Sequence, residues 1–188
     1  MKRIFVAVNL PKEIKKELAK KQEDIKINFE TDPVKWVVRD NLHITLAFLG
    51  SIDDDLIPKV VDELKNLKSV PFNFYLDDIK YIPNRREAKM IWSTGVSKQL
   101  EYLKKEIDEI LTSIDGLSYT FEGYDFSPHV TLGRIKKIKF RNQPLEEIPL
   151  LEDEFVDLSF KVETVDLMES KLKRPGPEYK KIKSIILS

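Results

Sequence analysis

Apolar side chains recur along the chain with two different periods, and segments of the two kinds alternate. Short apolar or alternating runs predict strands at residues 4–8, 35–39, 42–49, 72–81, 90–94, 129–135, 155–160, 162–168 and 182–187. Apolar residues spaced three or four apart predict helices that begin after Pro11, cover residues 53–67 and begin after Ser97. Residues 144–154 form an acidic connection that fits neither period.

The mixed order of strands and helices, with several hairpins, favours an α+β fold with antiparallel sheet over a doubly wound parallel fold. One short motif occurs twice in the chain: the sequence HITL begins at His43 and the sequence HVTL begins at His129. A strand–helix–strand pattern surrounds each copy. We therefore expect one domain over residues 1–188, built as two pseudo-symmetric lobes of antiparallel sheet flanked by helices, with both motifs on a central cleft.

The composition narrows the possible chemistry. With 41% hydrophobic residues, and 32 Lys and Arg balanced by 32 Asp and Glu, we expect a soluble protein whose nucleic-acid contacts are short and local. The absence of cysteine excludes disulfides, thiolate nucleophiles and cysteine-ligated metals. No apolar run has the length of a signal peptide or a membrane helix. We expect a cytoplasmic protein and, since no pattern demands a dimer, a monomer.

The two motifs contain both histidines of the sequence. Residues two apart on a strand point to the same face, so His43 projects with Thr45 and His129 projects with Thr131. Two such pairs facing each other suit phosphodiester chemistry without a metal. One imidazole takes a proton from water, the other protonates the leaving oxygen, and the hydroxyls bind phosphoryl oxygens. Each acid or base role contributes roughly 10²–10⁴ in rate.

Two less specific interpretations compete with this one. In the first interpretation the histidines have no catalytic role, since a lone strand histidine is more often a surface or hydrogen-bonded residue. The frequency of threonine weighs against it: the chain has seven threonines in 188 residues. By composition, both histidines have a threonine two places later with a chance on the order of one in seven hundred. A zinc site is the other interpretation. Carboxylates could supply a third ligand, although no H-E-x-x-H spacing occurs.

Five stretches, in order, extend the signal over nearly the whole chain: RIFVAVNLP, KWVVRDNLHITLAFLG, MIWSTGV, FSPHVTLGRI and LMESKLKRPGPEYKKI. With these stretches the chain resembles the two-histidine (2H) phosphoesterases. The resemblance is to the branch of bacterial and archaeal RNA 2′,3′-cyclic phosphodiesterases, historically called 2′-5′ RNA ligases. We see no departure from the family's pattern at a catalytic position.

The resemblance implies that His43 protonates the leaving 3′ oxygen and that His129 activates water. It further implies that Thr45 and Thr131 bind phosphoryl oxygens and that Arg134 pairs with the phosphate, although a surface ion pair is the alternative for that arginine. The implied substrate is an RNA 3′ end, such as that of a tRNA half, whose 2′,3′-cyclic phosphate opens to a 2′-phosphate. A reverse joining would make a 2′-5′ linkage. No metal or nucleotide cofactor is implied.

Other functions remain open from the sequence. The same four residues would fit a small cyclic nucleotide or an ADP-ribose cyclic phosphate. The chain could also be a binding protein and not an enzyme, as a non-catalytic module that binds a nucleotide or an RNA end. Its mark would be a lost histidine or threonine in one motif, and neither motif has lost one.

Basic loops and aromatic residues give weaker signals. Two loops could guide an RNA end, although such loops are more often only solvated; they contain Arg85, Arg86 and Lys89, and Lys171, Lys173 and Arg174. Three aromatic side chains could stack on a base, but we expect them in the core: Trp36, Phe48 and Trp92.

Overall fold

The computed structural model describes residues 1–29, 34–121, 126–136, 144–151, 156–174 and 176–188. Within these ranges, ten strands and three helices run in the order β1 (Lys2–Asn9), α1 (Lys12–Ile27), β2 (Val34–Trp36), β3 (His43–Ile52), α2 (Leu56–Leu64), β4 (Phe72–Leu76), β5 (Asp78–Ile82), β6 (Met90–Thr94), α3 (Lys98–Ser113), β7 (His129–Ile135), β8 (Leu158–Val162), β9 (Thr164–Lys171) and β10 (Glu178–Ile186). The strand pairs among the described residues are all antiparallel, which confirms the α+β class.

Eight strands form one sheet in the order β10-β9-β1-β3-β7-β6-β5, with β2 paired to β7 as well. Among the described residues, β3 and β7 are joined by one residue pair, Ile44 with Val130. The sheet therefore has two antiparallel halves. We call β1, β3, β9 and β10 the first half, and β2, β5, β6 and β7 the second half. Each half carries one histidine motif. Strands β4 and β8 form a separate two-stranded sheet.

The helices tie the two halves together. Gln22 of α1 is buried, and its amide donates to the carbonyl of Val37 at 2.9 Å and to that of Leu132, in the second half, at 2.7 Å. Helix α3 contacts β3 of the first half, and α2 contacts both α3 and β10. Helices α1 and α3 thus each reach the half that does not contain the strand before them. One apolar cluster, which includes Ile44, Leu100 and Val130, spans both halves.

Several boundaries agree with the apolar periods. Helix α1 begins directly after Pro11, and Ser97 caps α3 by accepting a hydrogen bond from the backbone N–H of Leu100. Helix α2 is shorter than residues 53–67 because turns occupy both ends of that range. Strand β10 begins at Glu178, ahead of the predicted strand over residues 182–187.

The predicted strand over residues 72–81 is wrong. It is two strands, β4 and β5, which separate at Asp77 and pair with β8 and β6 respectively. At this junction the backbone N–H of Asp77 donates to the carbonyl of Thr94, at the end of β6, and its carbonyl accepts from the N–H of Val156. Alternation along one strand carries no information about a change of partner.

Three further predictions need correction or limits. The predicted strand over residues 35–39 ends at Trp36, and a 3₁₀ turn follows at Arg39–Asn41. The start of the strand predicted over residues 155–160 lies outside the described residues. In the unassigned connection the described part contains a 3₁₀ turn, Leu145–Glu147.

No helix in the described part of the chain is long and apolar enough to cross a membrane.

Candidate active site

The one pair that joins the two halves also brings the two motifs together. Ile44 and Val130, the residues after each histidine, are antiparallel partners and are fully buried. Antiparallel register directs His43 towards Thr131 and Thr45 towards His129, on the face opposite these buried partners. We call this surface the site face. The four side chains are half-buried there. The charge of His129 is near enough to contribute to the pKa of His43.

Each histidine is held by the backbone two residues before it, just ahead of its strand. Nδ1 of His43 lies 2.6 Å from the carbonyl oxygen of Asn41, and Nδ1 of His129 lies 2.7 Å from that of Ser127. A carbonyl accepts only, so Nδ1 carries the proton and donates in both rings. The neutral rings therefore present Nε2 as an acceptor. Nε2 of His43 lies 3.0 Å from the hydroxyl of Thr45, which donates to it.

Burial sets the charge state of both rings. It lowers the pKa of His43 to about 4; the Asn41 carbonyl opposes this shift, and the positive charges of Lys15 and His129 add to it. Burial also lowers the pKa of His129, against the opposing effect of the Ser127 carbonyl. Both imidazoles are consequently neutral near pH 7 in the free protein, and each is ready to accept a proton at Nε2.

The aromatic surroundings of the two rings differ. Phe5 and Tyr179 contact His43 with tilted and edge geometry, at centroid distances of 5.1 and 5.2 Å. Trp92 lies flat on His129, with a centroid distance of 3.5 Å and an interplanar angle of 9°. The prediction that Trp92 is a core residue is therefore wrong, since its indole is half-buried against a motif histidine. Phe5, Tyr179 and the contact made by Trp92 were not predicted from the sequence.

A β-bulge in each motif strand decides which later residues reach the site face. In β3, the pairs Ala7–Thr45 and Val6–Ala47 leave Leu46 without a partner. The pairing of β7 with β6 leaves out Leu132, which stands at the same place relative to its histidine. An extra residue in one strand shifts the alternation of faces by one position.

The bulges bring Phe48 and Arg134, each five residues after a histidine, to the site face. The prediction that Phe48 lies in the core is wrong, because the residue is 67% exposed. Arg134 is exposed beside Met90, its partner on β6. Its charge, like that of Arg3, acts against the burial that raises the pKa of Tyr179. Arg134 thus lies near enough to Tyr179 for its charge to act on that hydroxyl.

Several of the remaining residues singled out from the sequence have structural contacts. Trp36 is half-buried and packs against the core, as predicted. Arg85 donates to the carbonyl of Ile148, and Lys171 and Lys173 pair with Glu169 and Glu178. The ion pairs of the exposed lysines favour the solvated interpretation of the second basic loop, whereas Arg85 of the first loop fixes a backbone carbonyl.

Lys15 was not predicted, yet it lies near the site. Its ammonium donates to the carbonyl of Asp40 at 2.7 Å, and its charge contributes to the lowered pKa of His43. Burial lowers the pKa of Lys15 itself. Its position on the first turn of α1, just after β1, was the available signal. In the described part of the chain, no group of three or more His, Cys, Asp and Glu side chains could hold a metal ion.

Comparison with known proteins gives a consistent family assignment. The family model described as LigT like Phosphoesterase matches residues 8–92 and 94–179, and each range contains one histidine motif. A protein of Methanocaldococcus jannaschii named RNA 2′,3′-cyclic phosphodiesterase is 33% identical over 182 residues, which cover 96% of this chain and 98% of the relative. A Thermotoga maritima protein of the same name is 28% identical over 181 residues, covering 95% and 91% of the two chains.

Solved structures show the same fold. A crystal structure of a Thermus thermophilus protein matches with a TM-score of 0.83 and 25% identity, covering 98% of this chain and 97% of that one. Escherichia coli LigT complexed with 3′-AMP matches with a TM-score of 0.77 and 23% identity, covering 100% and 98%. The family match over most of the sequence shows that this chain belongs to the LigT-like phosphoesterase family.

Proposed function

We propose that this chain is an RNA 2′,3′-cyclic phosphodiesterase that needs no metal and opens a terminal cyclic phosphate to a 2′-phosphate. The observation that carries the proposal is the matched pair His43 and His129, each fixed through Nδ1 and each followed two residues later by a threonine on the same strand. The activity for which relatives with 27–33% identity are named supports the same reaction. An RNA 3′ end is the proposed partner, and the cytoplasm is the proposed location.

The two imidazoles divide the proton transfers. Nε2 of His129 accepts a proton from water, whose oxygen forms a bond to phosphorus as the bond from phosphorus to O3′ breaks. Nε2 of His43 delivers a proton to that departing oxygen, so the product carries a 2′-phosphate. The phosphoryl oxygens gain negative charge in the transition state. The hydroxyls of Thr45 and Thr131 and the guanidinium of Arg134 stabilise that charge.

Substrate binding supplies the charge state that the acid needs. In the free protein His43 is neutral, and Thr45 donates to its Nε2. A cyclic phosphate is an anion, so its arrival beside Nε2 raises the pKa of His43 and favours the imidazolium. The protonated ring then donates, and the Thr45 hydroxyl turns to a phosphoryl oxygen. The pKa of His43 is low when no anion lies beside it. The imidazolium therefore becomes a strong acid when the negative charge of the phosphate moves away from the ring during the reaction.

The same pair also suits a joining reaction. A 5′-hydroxyl of a second RNA takes the place of water, gives its proton to His129 and attacks phosphorus, while O3′ leaves with a proton from His43. The product is a 2′-5′ linkage. Every step is the reverse of the cleavage of that linkage, so one site catalyses both directions.

The test is product analysis with a short RNA that ends in a 2′,3′-cyclic phosphate, in the presence of EDTA. We expect a 2′-phosphate product that is lost in His43→Ala and in His129→Ala. A 3′-phosphate product would mean that O2′ leaves instead. Turnover of a small cyclic nucleotide without turnover of RNA would identify the alternative substrate class. No turnover of either would contradict the enzyme and favour a binding module.

A further inference from the structure

The site face carries two like charges directly opposite each other. Lys35 of β2 is the antiparallel partner of Arg134 of β7, so their Cβ atoms are separated by about 4.5–5.5 Å. Residues that face each other across a strand pair share one face of the sheet. Lys35 therefore lies on the site face with Arg134. Two positive charges in this arrangement lower the stability of the strand pair.

Among the described residues, no carboxylate offsets this repulsion. Within the described residues, neither Lys35 nor Arg134 forms an ion pair, and both are exposed. Other lysines behave differently, since Lys104 and Lys181 reach the buried carboxylates of Asp108 and Asp166. A like-charged pair that costs stability and has no acidic partner is the arrangement expected of an anion-binding surface.

The pair borders the junction between the two halves. Strand β2 pairs with the C-terminal end of β7, and β3 meets β7 at Val130. Strand β6 pairs with β7 at both of these levels, so β2 and β3 share the other edge. Arg134 lies three residues beyond Thr131, and one of these residues is taken up by the bulge. The charges are thus displaced from the cyclic phosphate by about two strand steps, roughly 7 Å, which is on the scale of one nucleotide.

We propose that Lys35, with Arg134 beside it, binds the phosphodiester of the nucleotide that precedes the cyclic end. This inference rests on the proposed function and refines it, because it makes an oligonucleotide the preferred substrate over a small cyclic nucleotide. Arg134 has five N–H donors and can contact both phosphates. Lys35 contacts only the preceding phosphate. Its removal should therefore act on RNA and spare a cyclic mononucleotide.

The experiment compares Lys35→Met with Lys180→Met on two substrates, a 2′,3′-cyclic mononucleotide and a short RNA with the same cyclic end. Lys180 is an exposed lysine of β10 that pairs with Glu169, on the opposite face of the sheet. Both changes remove one charge and keep an apolar side chain. We expect Lys35→Met to lower kcat/KM about 5- to 10-fold on RNA through KM, with unchanged turnover of the mononucleotide. Lys180→Met should affect neither substrate.

Two further measurements make the outcome unambiguous. The slope of log affinity against log salt concentration for an RNA ending in a 2′-phosphate should fall by about 0.7 in Lys35→Met only. The midpoint of thermal unfolding should stay level or rise, because a like-charge contact is removed. An equal loss on both substrates, or no loss on RNA with an unchanged salt slope, would overturn the inference. Turnover of the mononucleotide by the unmodified protein tests the proposed function separately.

Discussion

The two motif strands share one backbone design and differ in what surrounds it. In both, the histidine donates through Nδ1 to the carbonyl two residues before it, and a bulge follows the threonine. The fifth residue after the histidine then returns to the site face. In the first half that residue is Phe48, and in the second half it is Arg134. The repeated part builds a pair of equivalent imidazoles, and the part that is not repeated makes their roles unequal.

The rings differ in a corresponding way. Phe5 and Tyr179 contact His43, the burial of its ring disfavours the imidazolium, and the nearby charge of Lys15 adds to this effect. His129 lies flat on the indole of Trp92, and the negative face of an aromatic ring stabilises a cation. A ring that accepts a proton during the reaction gains from such support. The asymmetry therefore favours His129 as the base and His43 as the acid.

The strongest test of the comparison asks whether the two halves act as one unit. We expect His43→Ala and His129→Ala each to lower kcat by about 10²–10⁴. The double variant should have a kcat only slightly below that of the less active single variant, because the roles of the two histidines depend on each other. Single-turnover rates on RNA with a cyclic end measure this. Additive losses would show that the two imidazoles contribute to separate steps.

The next test separates the two residues that the bulges bring to the site face. Arg134→Met removes the positive charge that we propose to lie beside the phosphoryl group, so kcat should fall by about 10- to 100-fold. Phe48→Leu removes an exposed ring that can stack on a base, so KM should rise with little change in kcat; base stacking contributes about 1–3 kcal/mol. Steady-state kinetics on one RNA substrate distinguish these effects. Equal effects on kcat would mean that both residues act on the phosphate.

Both halves were predictable from the sequence in outline, and the limits have physical causes. His43, Thr45, His129 and Thr131 could be placed on one face because a strand has a period of two, and the site conforms to that period up to the bulge. Phe48 was misassigned because a bulge leaves no mark in the apolar pattern. A small residue after each motif leucine, Ala47 and Gly133, is the one local signal of the bulges.

The small residue at position 133 has a structural reason. A Cβ atom built there would lie 2.4 Å from a methyl carbon of Val34 and 3.3 Å from the Trp36 ring, so β2 needs the glycine in order to pair with β7. The contacts that distinguish the two histidines could not be predicted in the same way. Trp92, Phe5 and Tyr179 come from three strands of two different halves, and their positions depend on register between strands distant in sequence.

Low pH should lower the stability of the protein, because His43 is buried as a neutral imidazole. Its pKa is lowered to about 4 in the folded protein, whereas an unfolded histidine has a pKa near 6.5, so the unfolded chain binds more protons between these values. The free energy of unfolding should therefore fall as the pH falls from about 6.5 to about 4, by up to roughly 3 kcal/mol from this residue. Urea unfolding at several pH values measures the slope. His43→Gln should flatten it, and an unchanged slope would assign the loss to other groups.

The smallest expected effect isolates the stacked indole. Trp92→Leu removes the aromatic face under His129 and keeps an apolar side chain, whereas Trp92→Phe keeps a face. If the indole supports the imidazolium, the pKa of His129 should fall further in the leucine variant, by about 0.4–1 pH unit, and less in the phenylalanine variant. NMR titration of the two imidazoles in the free protein measures this directly.

The matched readout is the pH dependence of kcat/KM. A base is lost when it becomes protonated, so the acidic limb of the profile should move to lower pH in Trp92→Leu together with the pKa of His129. The pKa of His43 should change much less, because its ring contacts are Phe5 and Tyr179. A drop in kcat/KM without movement of either the limb or the His129 titration would mean that Trp92 only fills space. Movement of the His43 titration instead would place the difference between the two halves somewhere other than in their aromatic neighbours.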